Sequence, residues 1–341
     1  MSITSQTKIK GKIIAETEKA VRIKFNSGQE NWIPKSTIKS DFESKKDNIQ
    51  EFFIDTWVLE KNSILTEDQP IITKIIKELQ KIHSDNLIAV YGIGSFFDES
   101  LPEAWIKNDI DVIIIVKTID KIPKTVWDKR FYSKKIDQYE VFYGYNTVEM
   151  YQDKGNFHKL SGVNYEWALI EIKNPHNSKK LFGKDIRDQL PEITTLTFDY
   201  DDLLARGLYH LEKSFKGEDE FAVREISKAV FKIAFYLCVY FVDSFRSTSL
   251  IKIEKKLADI IEIITPLKGF QKYFQESKSF RTTGKYSIDY PPFREELISY
   301  IYRLLKQGIL HRKIEGEELM IYLTKYFGGF PFLKRRLKVK D

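Results

Sequence analysis

Three regimes of hydrophobic patterning follow one another along the chain. Up to about residue 60 the segments IKGKIIAET, KAVRIKFNSG and QENWIPKSTI alternate apolar and polar residues over short lengths, with turn signals such as Asn26-Ser27-Gly28 between them. A further strand is expected within Glu51 to Leu59. Strands this short and close predict a small β-barrel of the SH3 or OB type. From Glu67 to His83 the period changes: Ile71, Ile72, Ile75, Ile76, Leu79 and Ile82 make one helical stripe. Leu87 to Tyr91 then reads as a strand, Gly92-Ile93-Gly94-Ser95 as a turn, and Val112 to Val116 as a second strand, so a central α/β core is expected. From Tyr200 onward helical spacing dominates, through Leu203, Leu204, Leu208 and Leu211 and then Ile226, Val230, Ile233 and Leu237. Further helices are expected at Ile253 to Ile264, Phe293 to Gln307 and Glu317 to Tyr326. The resulting expectation is an α+β multidomain protein: a small β-barrel over 1–62, an α/β core over 63–195 and an α-helical bundle over 196–341.

Composition narrows the class. The 341 residues are 42% hydrophobic and 30% charged, too apolar for disorder. A net charge of +6 permits an anionic partner without demanding one. Cys238 is the only cysteine, which excludes an internal disulfide and any Cys-rich zinc site and fits a reducing compartment. The five histidines are scattered without HxxxH or HExxH spacing. MSITSQTKIK holds no apolar signal core, and the longest apolar run, Ile233 to Val242, is too short to span a bilayer. A soluble cytoplasmic protein with no membrane partner is expected.

The chemistry concentrates between Tyr91 and Lys117. Ile113-Ile114-Ile115-Val116 is β-branched and unbroken, as in a strand covered on both faces. Asp109 and Asp111, two residues apart at its head, project the same way. Adjacent carboxylates repel unless they share a cation, and oxygen ligands suit Mg²⁺. The polar excursion before them carries its own capping box, Ser100-Leu101-Pro102-Glu103, which predicts a short helix from Pro102. After it, 122–136 has no clear period, Gln138 to Tyr143 and Thr147 to Tyr151 read as strands either side of a bend at Gly144-Tyr145-Asn146, and Asn174-Pro175-His176-Asn177 reads as a loop.

Gly94-Ser95, a polar excursion, and Asp109-Ile110-Asp111 opening an apolar strand together resemble the signature of the nucleotidyltransferase superfamily, which includes DNA polymerase β-like, kanamycin-type and minimal nucleotidyltransferases. The resemblance covers about residues 65 to 190. It implies transfer of a nucleoside monophosphate from an NTP to an acceptor hydroxyl, with Mg²⁺ (or Mn²⁺) as cofactor and release of pyrophosphate. Asp109 and Asp111 would hold the metal, and Gly94 and Ser95 would approach the triphosphate, with Ser95 placed at a helix start. The family adds a third carboxylate from a neighbouring strand. Glu149 is the first choice for catalysis and metal binding, because it projects outward with Thr147 while Val148 and Met150 face the core; Glu140 and then Glu171 follow. A second reading is a catalytically silent binding or regulatory protein on the same fold.

Other residues are candidates of lower rank. Lys184 and Arg187, after the last core strand, would touch nucleotide phosphate or be solvated. Arg224 and Lys228 share a helix face. Trp32, Trp57 and Phe25 either stack on a single strand of RNA or DNA or fill the barrel's core. The basic terminus 334–340 would add phosphate contacts to such a nucleic acid or serve solubility alone. Cys238 reads as a buried small hydrophobe.

Overall fold

The computed structural model describes residues 6–25, 30–44, 48–62, 64, 70–107, 109–127, 132–137, 139–157, 164–217, 219–284, 289–310 and 332–333. The chain divides into two compact units, Met1–Phe97 with Asn108–Pro191, and Asp98–Lys107 with Glu192–Asp341. The architecture is mixed α/β with two separate sheets.

The first sheet uses the alternating segments as expected. Strands β1 (Gln6–Glu16), β2 (Ala20–Phe25), β3 (Glu30–Pro34) and β4 (Gln50–Asp55) lie antiparallel in the order β3-β2-β1-β4, and a short helix α1 (Thr56–Lys61) follows. Ile9, Ile13, Val21, Ile23, Ile33, Phe52 and Ile54 point to one side and pack with Val58 and Leu59 of α1 into a core of their own. The sheet does not close into a barrel, contrary to the sequence expectation. β3 and β4 lie at opposite edges, and among the described residues the outer edge of β4 is met by an isolated bridge between Ile38 and Ile54 and by a bond from the Phe53 N–H to Ser40 Oγ, not by β3. Phe25 is in the core, whereas Trp32 and Trp57 remain about half exposed.

The second sheet begins after helix α2 (Pro70–His83). It contains β5 (Leu87–Ile93) and β6 (Asp109–Val116), then, after a four-residue helix α3 (Lys124–Trp127), β7 (Tyr132–Ile136) and β8 (Tyr139–Asn146). Helices α4 (Val148–Gln152) and α5 (Tyr165–Lys173) precede the last strand, β9 (Lys179–Gly183). The order is β7-β8-β6-β5-β9, with β6 and β8 parallel and the other pairs antiparallel. The isoleucine stripe of α2 packs on the face formed by Val90, Ile110, Val112, Ile114, Val141, Tyr143 and Tyr145. Within this region the expected bend at Gly144-Tyr145-Asn146 is instead the end of strand β8, in continuous register with β6. Gly144 lies opposite Ile113, and Tyr145 is fully buried with its hydroxyl 3.0 Å from His83 Nε2. Burial and ladder pairing there override the local turn preference. The hairpin lies one segment earlier, between β7 and β8, where Asp137 takes a positive φ of 53°.

The second unit contains α6 (Tyr200–Lys213), α7 (Asp219–Phe241), α8 (Leu250–Ile263), α9 (Phe270–Thr283) and α10 (Tyr290–Lys306). α7 is buried on almost every side, and Cys238 lies within it, its thiol pushed up to about 12 by burial. α9 is a helix that the spacing of its apolar residues did not announce. The helix expected at Glu317 to Tyr326 and the basic terminus 334–340 lie outside the described residues.

The excursion after the Gly94 turn belongs to this helical unit and is not helical itself. Ser100 donates its N–H and its hydroxyl to Asp98 Oδ1, at 2.9 and 2.6 Å, so Asp98 takes the role the capping box assigned to Glu103. The Ile106 N–H donates to Arg281 O at 2.7 Å, and the Arg281 guanidinium returns a bond of 2.7 Å to Ile106 O. The Trp105 ring lies 5.8 Å from that of Phe231 and under the same guanidinium. No helix among the described residues is long and apolar enough to cross a membrane.

Candidate functional site

Strand register places the acidic residues. Ile93 pairs with Asp111 across the antiparallel β5–β6 ladder, and Asp109 pairs with Glu140 across the parallel β6–β8 ladder. Paired residues on neighbouring strands point to the same face, about 4.8 Å apart. Asp109, Asp111 and Glu140 therefore share one face at one end of the sheet. It is the face opposite α2, because Ile110, Val112 and Val141 between them are in the α2 core. Asp109 and Asp111 are half-buried and Glu140 is exposed.

The turn after β5 closes on the same end. Gly94 has φ 73°, the left-handed region that glycine enters without strain. A Cβ on Gly94 would lie 2.9 Å from Asp111 Oδ2, so the missing side chain is what lets the turn and the carboxylate meet. The Gly94 N–H donates to Glu171 Oε2 at 3.2 Å, and Glu171 is buried on α5. The Phe97 N–H donates to Gly94 O at 3.1 Å, which makes 94–97 a tight turn and places no helix start at Ser95. The two phenylalanines after Ser95 fasten that turn. Phe97 is 6% exposed and occupies the space a Gly92 side chain would need, 2.2 Å from an ideal Cβ. Phe96 meets Phe97 and Tyr139 edge-on, at 5.0 and 5.5 Å. Tyr139 immediately precedes Glu140, so the Gly94 turn and the start of β8 are joined through aromatic packing.

Glu149 does not belong to this end. It lies in the first turn of α4, past Asn146, and Asn146 pairs with Ile115 near the other end of β6. From Glu140 to Asn146 the strand runs about 20 Å. The Glu149 carboxyl is held below the usual range by its own backbone N–H and by the Thr147 side chain, the setting of an acid at a helix N-terminus. The strand expectation failed because Thr147 caps a helix, accepting from the Met150 N–H at 3.3 Å.

Lys184 is likewise misplaced for a phosphate ligand at Gly94. β9 runs antiparallel to β5, so its start, Lys179, pairs with Gly92, while the Lys184 N–H bonds Ile88 O at 3.2 Å near the opposite end. Lys179 and Lys180 are the lysines that β9 brings to the Gly94 end. Nothing in the spacing of the sequence shows this, since it depends on the direction in which β9 returns. Arg187 is engaged within the fold. It donates to Ile172 O at 2.7 Å and to Asp185, and its guanidinium covers the Tyr91 ring. Tyr91 donates its hydroxyl to Asp185 at 2.9 Å and accepts from the Ile186 N–H at 2.8 Å. Burial alone would raise Asp185; the Arg187 N–H and charge and the Tyr91 hydroxyl outweigh it and hold the carboxyl low. This knot ties the chain after β9 to the middle of β5. In the helical unit, Arg224 covers the Phe221 ring and Lys228 lies 4.0 Å from the buried Glu225, so both serve that unit's own structure.

No protein-family model matches this chain, and no curated protein does. The chemistry of the site therefore stands on its residues. Among the described residues, no three His, Cys, Asp or Glu side chains are placed to cage a metal by themselves. The donor set at the Gly94 end is nevertheless all carboxylate oxygen, the kind a hard divalent cation takes. Mg²⁺ is commonly bound through one or two carboxylates together with waters and substrate phosphates, not through a closed protein cage. Asp109 and Asp111 fit that mode.

Proposed function

We propose that this protein is a metal-dependent nucleotidyltransferase, moving a nucleoside monophosphate from an NTP to an acceptor hydroxyl with release of pyrophosphate. The observation that carries the reading is the junction of Gly94 with Asp111: a left-handed glycine turn pressed against the second of two carboxylates at the head of a buried strand. Bound Mg²⁺ would supply charge neutralisation on the triphosphate and on the attacking oxygen. Asp109 and Asp111 would hold it. Glu140, one strand over and on the same face, replaces Glu149 as the third carboxylate, either as a further ligand or as the base for the acceptor hydroxyl. The tight turn leaves the Ser95 N–H and hydroxyl as donors to phosphate oxygens. Lys180, which pairs with Tyr91 on the carboxylate face, would balance triphosphate charge from β9. Glu171 acts on the turn through the Gly94 N–H and is a positioning residue. An RNA or DNA end is the favoured acceptor over a small molecule or a protein hydroxyl.

Incubating the chain with each labelled NTP and Mn²⁺, alone and with oligonucleotide acceptors, tests this reading by pyrophosphate release and label transfer. Turnover that disappears in Asp109→Ala and Asp111→Ala is the expected result. Wild type indistinguishable from both variants with every nucleotide and acceptor would defeat the enzymatic reading and leave a silent protein on a nucleotidyltransferase-like fold.

A further inference from the structure

The carboxylate face runs on past Glu140 to the edge of the sheet. Lys135 of β7 pairs with Glu140, which pairs with Asp109; Ser133 pairs with Phe142, which pairs with Asp111. Paired residues share a face, so Lys135 and Ser133 lie on the face of the two aspartates, two strands or about 10 Å out from β6. Lys134, between them, faces the other way and meets Glu78 of α2 at 2.7 Å. Along these rows burial falls toward β7. Ile93 is buried, Asp109, Asp111 and Phe142 are half-buried, and Glu140, Ser133 and Lys135 are exposed. The Gly94 turn lies on the opposite side of β6. It follows β5, whose Ile93 pairs with Asp111, and on β9 beyond it Lys180 pairs with Tyr91 on this same face. A lysine therefore flanks the carboxylates two strands away on either side, Lys180 beyond the turn and Lys135 beyond Glu140.

Nucleotidyl transfer to a hydroxyl is an in-line displacement, with the attacking and leaving oxygens on opposite sides of the phosphorus. A triphosphate held by the Gly94 turn and Lys180 leaves toward β5 and β9. The acceptor hydroxyl then enters from β8, over Glu140. Its oxygen bonds to the α-phosphorus, and the bond from that phosphorus to the oxygen bridging to the β-phosphate breaks, its electron pair leaving on pyrophosphate. The hydroxyl proton passes to the Glu140 carboxylate. The next side chain out along that path is Lys135. A cation just beyond the reacting hydroxyl attracts an acceptor that is anionic there, repels a cationic amino sugar and gains nothing from a neutral alcohol. We propose that the acceptor is a sugar hydroxyl with a phosphate on the same sugar or in the adjoining linkage, and that Lys135 binds this phosphate and selects for it. The open β7 side has room for a polymer end as well as for a mononucleotide. The proposal rests on the nucleotidyltransferase reading above.

The test is steady-state label transfer by the full chain from an α-labelled NTP to a short oligonucleotide (as RNA and as DNA), to the same oligonucleotide with an uncharged methylphosphonate as its last linkage, and to a mononucleotide. Lys135→Gln raises the KM for the ordinary oligonucleotide about fivefold, the upper end for an exposed ion pair, and leaves kcat and the KM for NTP unchanged. The methylphosphonate end costs wild type the same factor and costs the variant nothing further. The logarithmic salt dependence of acceptor binding becomes shallower by about 0.7, one phosphate contact on a single strand. Lys135→Arg behaves as wild type, and Lys134→Gln, one residue along and facing α2, changes neither KM. A mononucleotide used with the same dependence on Lys135 places the phosphate on the acceptor's own sugar; transfer to the oligonucleotide alone places it in the linkage. Wild type that uses phosphate and methylphosphonate ends equally well, or a Lys135→Gln variant that raises the KM for NTP and not for the acceptor, would overturn the proposal while nucleotidyl transfer stands. Transfer that is absent from wild type, or unchanged in Asp109→Ala and Asp111→Ala, defeats the underlying reading and the proposal with it.

Discussion

Exchange of one carboxylate for its amide distinguishes the two ends of β8. Glu140→Gln and Glu149→Gln remove the same charge from two positions on the same short stretch of chain. Glu140 pairs with Asp109 across about 5 Å, whereas Glu149 lies more than about 20 Å along the strand direction. Because Glu140 is exposed, water's dielectric is the appropriate one. A unit charge lost about 5 Å from a divalent cation gathered at Asp109 then costs about 1.7 kcal/mol. That corresponds to about a 15-fold loss of cation affinity. At about 20 Å the same charge is worth about 0.4 kcal/mol before screening and almost nothing after it, with a Debye length of about 8 Å. Titration of Mn²⁺ followed by electron paramagnetic resonance, in the presence of NTP, reads the affinity directly and does not require turnover. Glu140→Gln shifts the curve by about an order of magnitude and lowers turnover at limiting metal, while Glu149→Gln superimposes on wild type. A Glu149→Gln variant that lost Mn²⁺ while Glu140→Gln retained it would refute the register assignment and everything built on it.

Two further outcomes follow from the geometry. Gly94→Ala forces a side chain into φ 73° and against Asp111 Oδ2 at 2.9 Å. A loss of about 1–2 kcal/mol is expected from the backbone alone, or about 3–6 °C in Tm, and adding Asp111→Ala relieves the contact but not the strain, so partial recovery is the diagnostic result. In the helical unit, His210 Nδ1 donates to the buried Glu225 at 2.7 Å, with Lys213 at 3.3 Å. Burial depresses His210 to about 4; burial would raise Glu225, but the His210 hydrogen bond and the nearby lysines bring it to about 2. Both folded values lie below the unfolded ones, so the stability they contribute is complete above about pH 6.5 and is lost as pH falls from there through about 4 and on towards 2. The His210 part has an upper bound of about 3 kcal/mol, reduced because 17% of its side chain is exposed. Denaturation midpoints measured from pH 7 to pH 4 should fall, and His210→Gln should flatten that fall.

Periodicity revealed what depends on periodicity. The α2 stripe, the alternation of β1 to β3 and the unbroken β6 run all reach their expected state, because each buries one face or both against a neighbour. The Asp109–Asp111 pair was legible for the same reason, being a fixed offset on one strand. What failed depends on partners far away in the chain. Glu149 was assigned from local alternation alone, and a Thr cap that costs only three residues of sequence turned that segment into helix. Lys184 was chosen by its distance from the last strand, and the direction of β9 puts Lys180 at the site end, on the carboxylate face, instead. Glu171 ranked only third among the candidate carboxylates, and the packing of α5 behind β5 is what shows its bond to Gly94. The open sheet was read as a barrel because strand count and spacing do not say which edges meet.

The Trp105 segment sets a schedule for synthesis. Ile106 and Arg281 exchange main-chain and guanidinium bonds across 175 residues of sequence. At about 5–20 residues per second, a ribosome needs about 10–35 s to make the partner after the segment has emerged. Over that interval Trp105, 6% exposed in the finished molecule, waits first for Phe231 and then for Arg281 to cover it. In sequence the waiting segment joins the Gly94-Ser95 turn to Asp109. A truncation placed before Phe231 would leave Trp105 without either of the two groups that cover it.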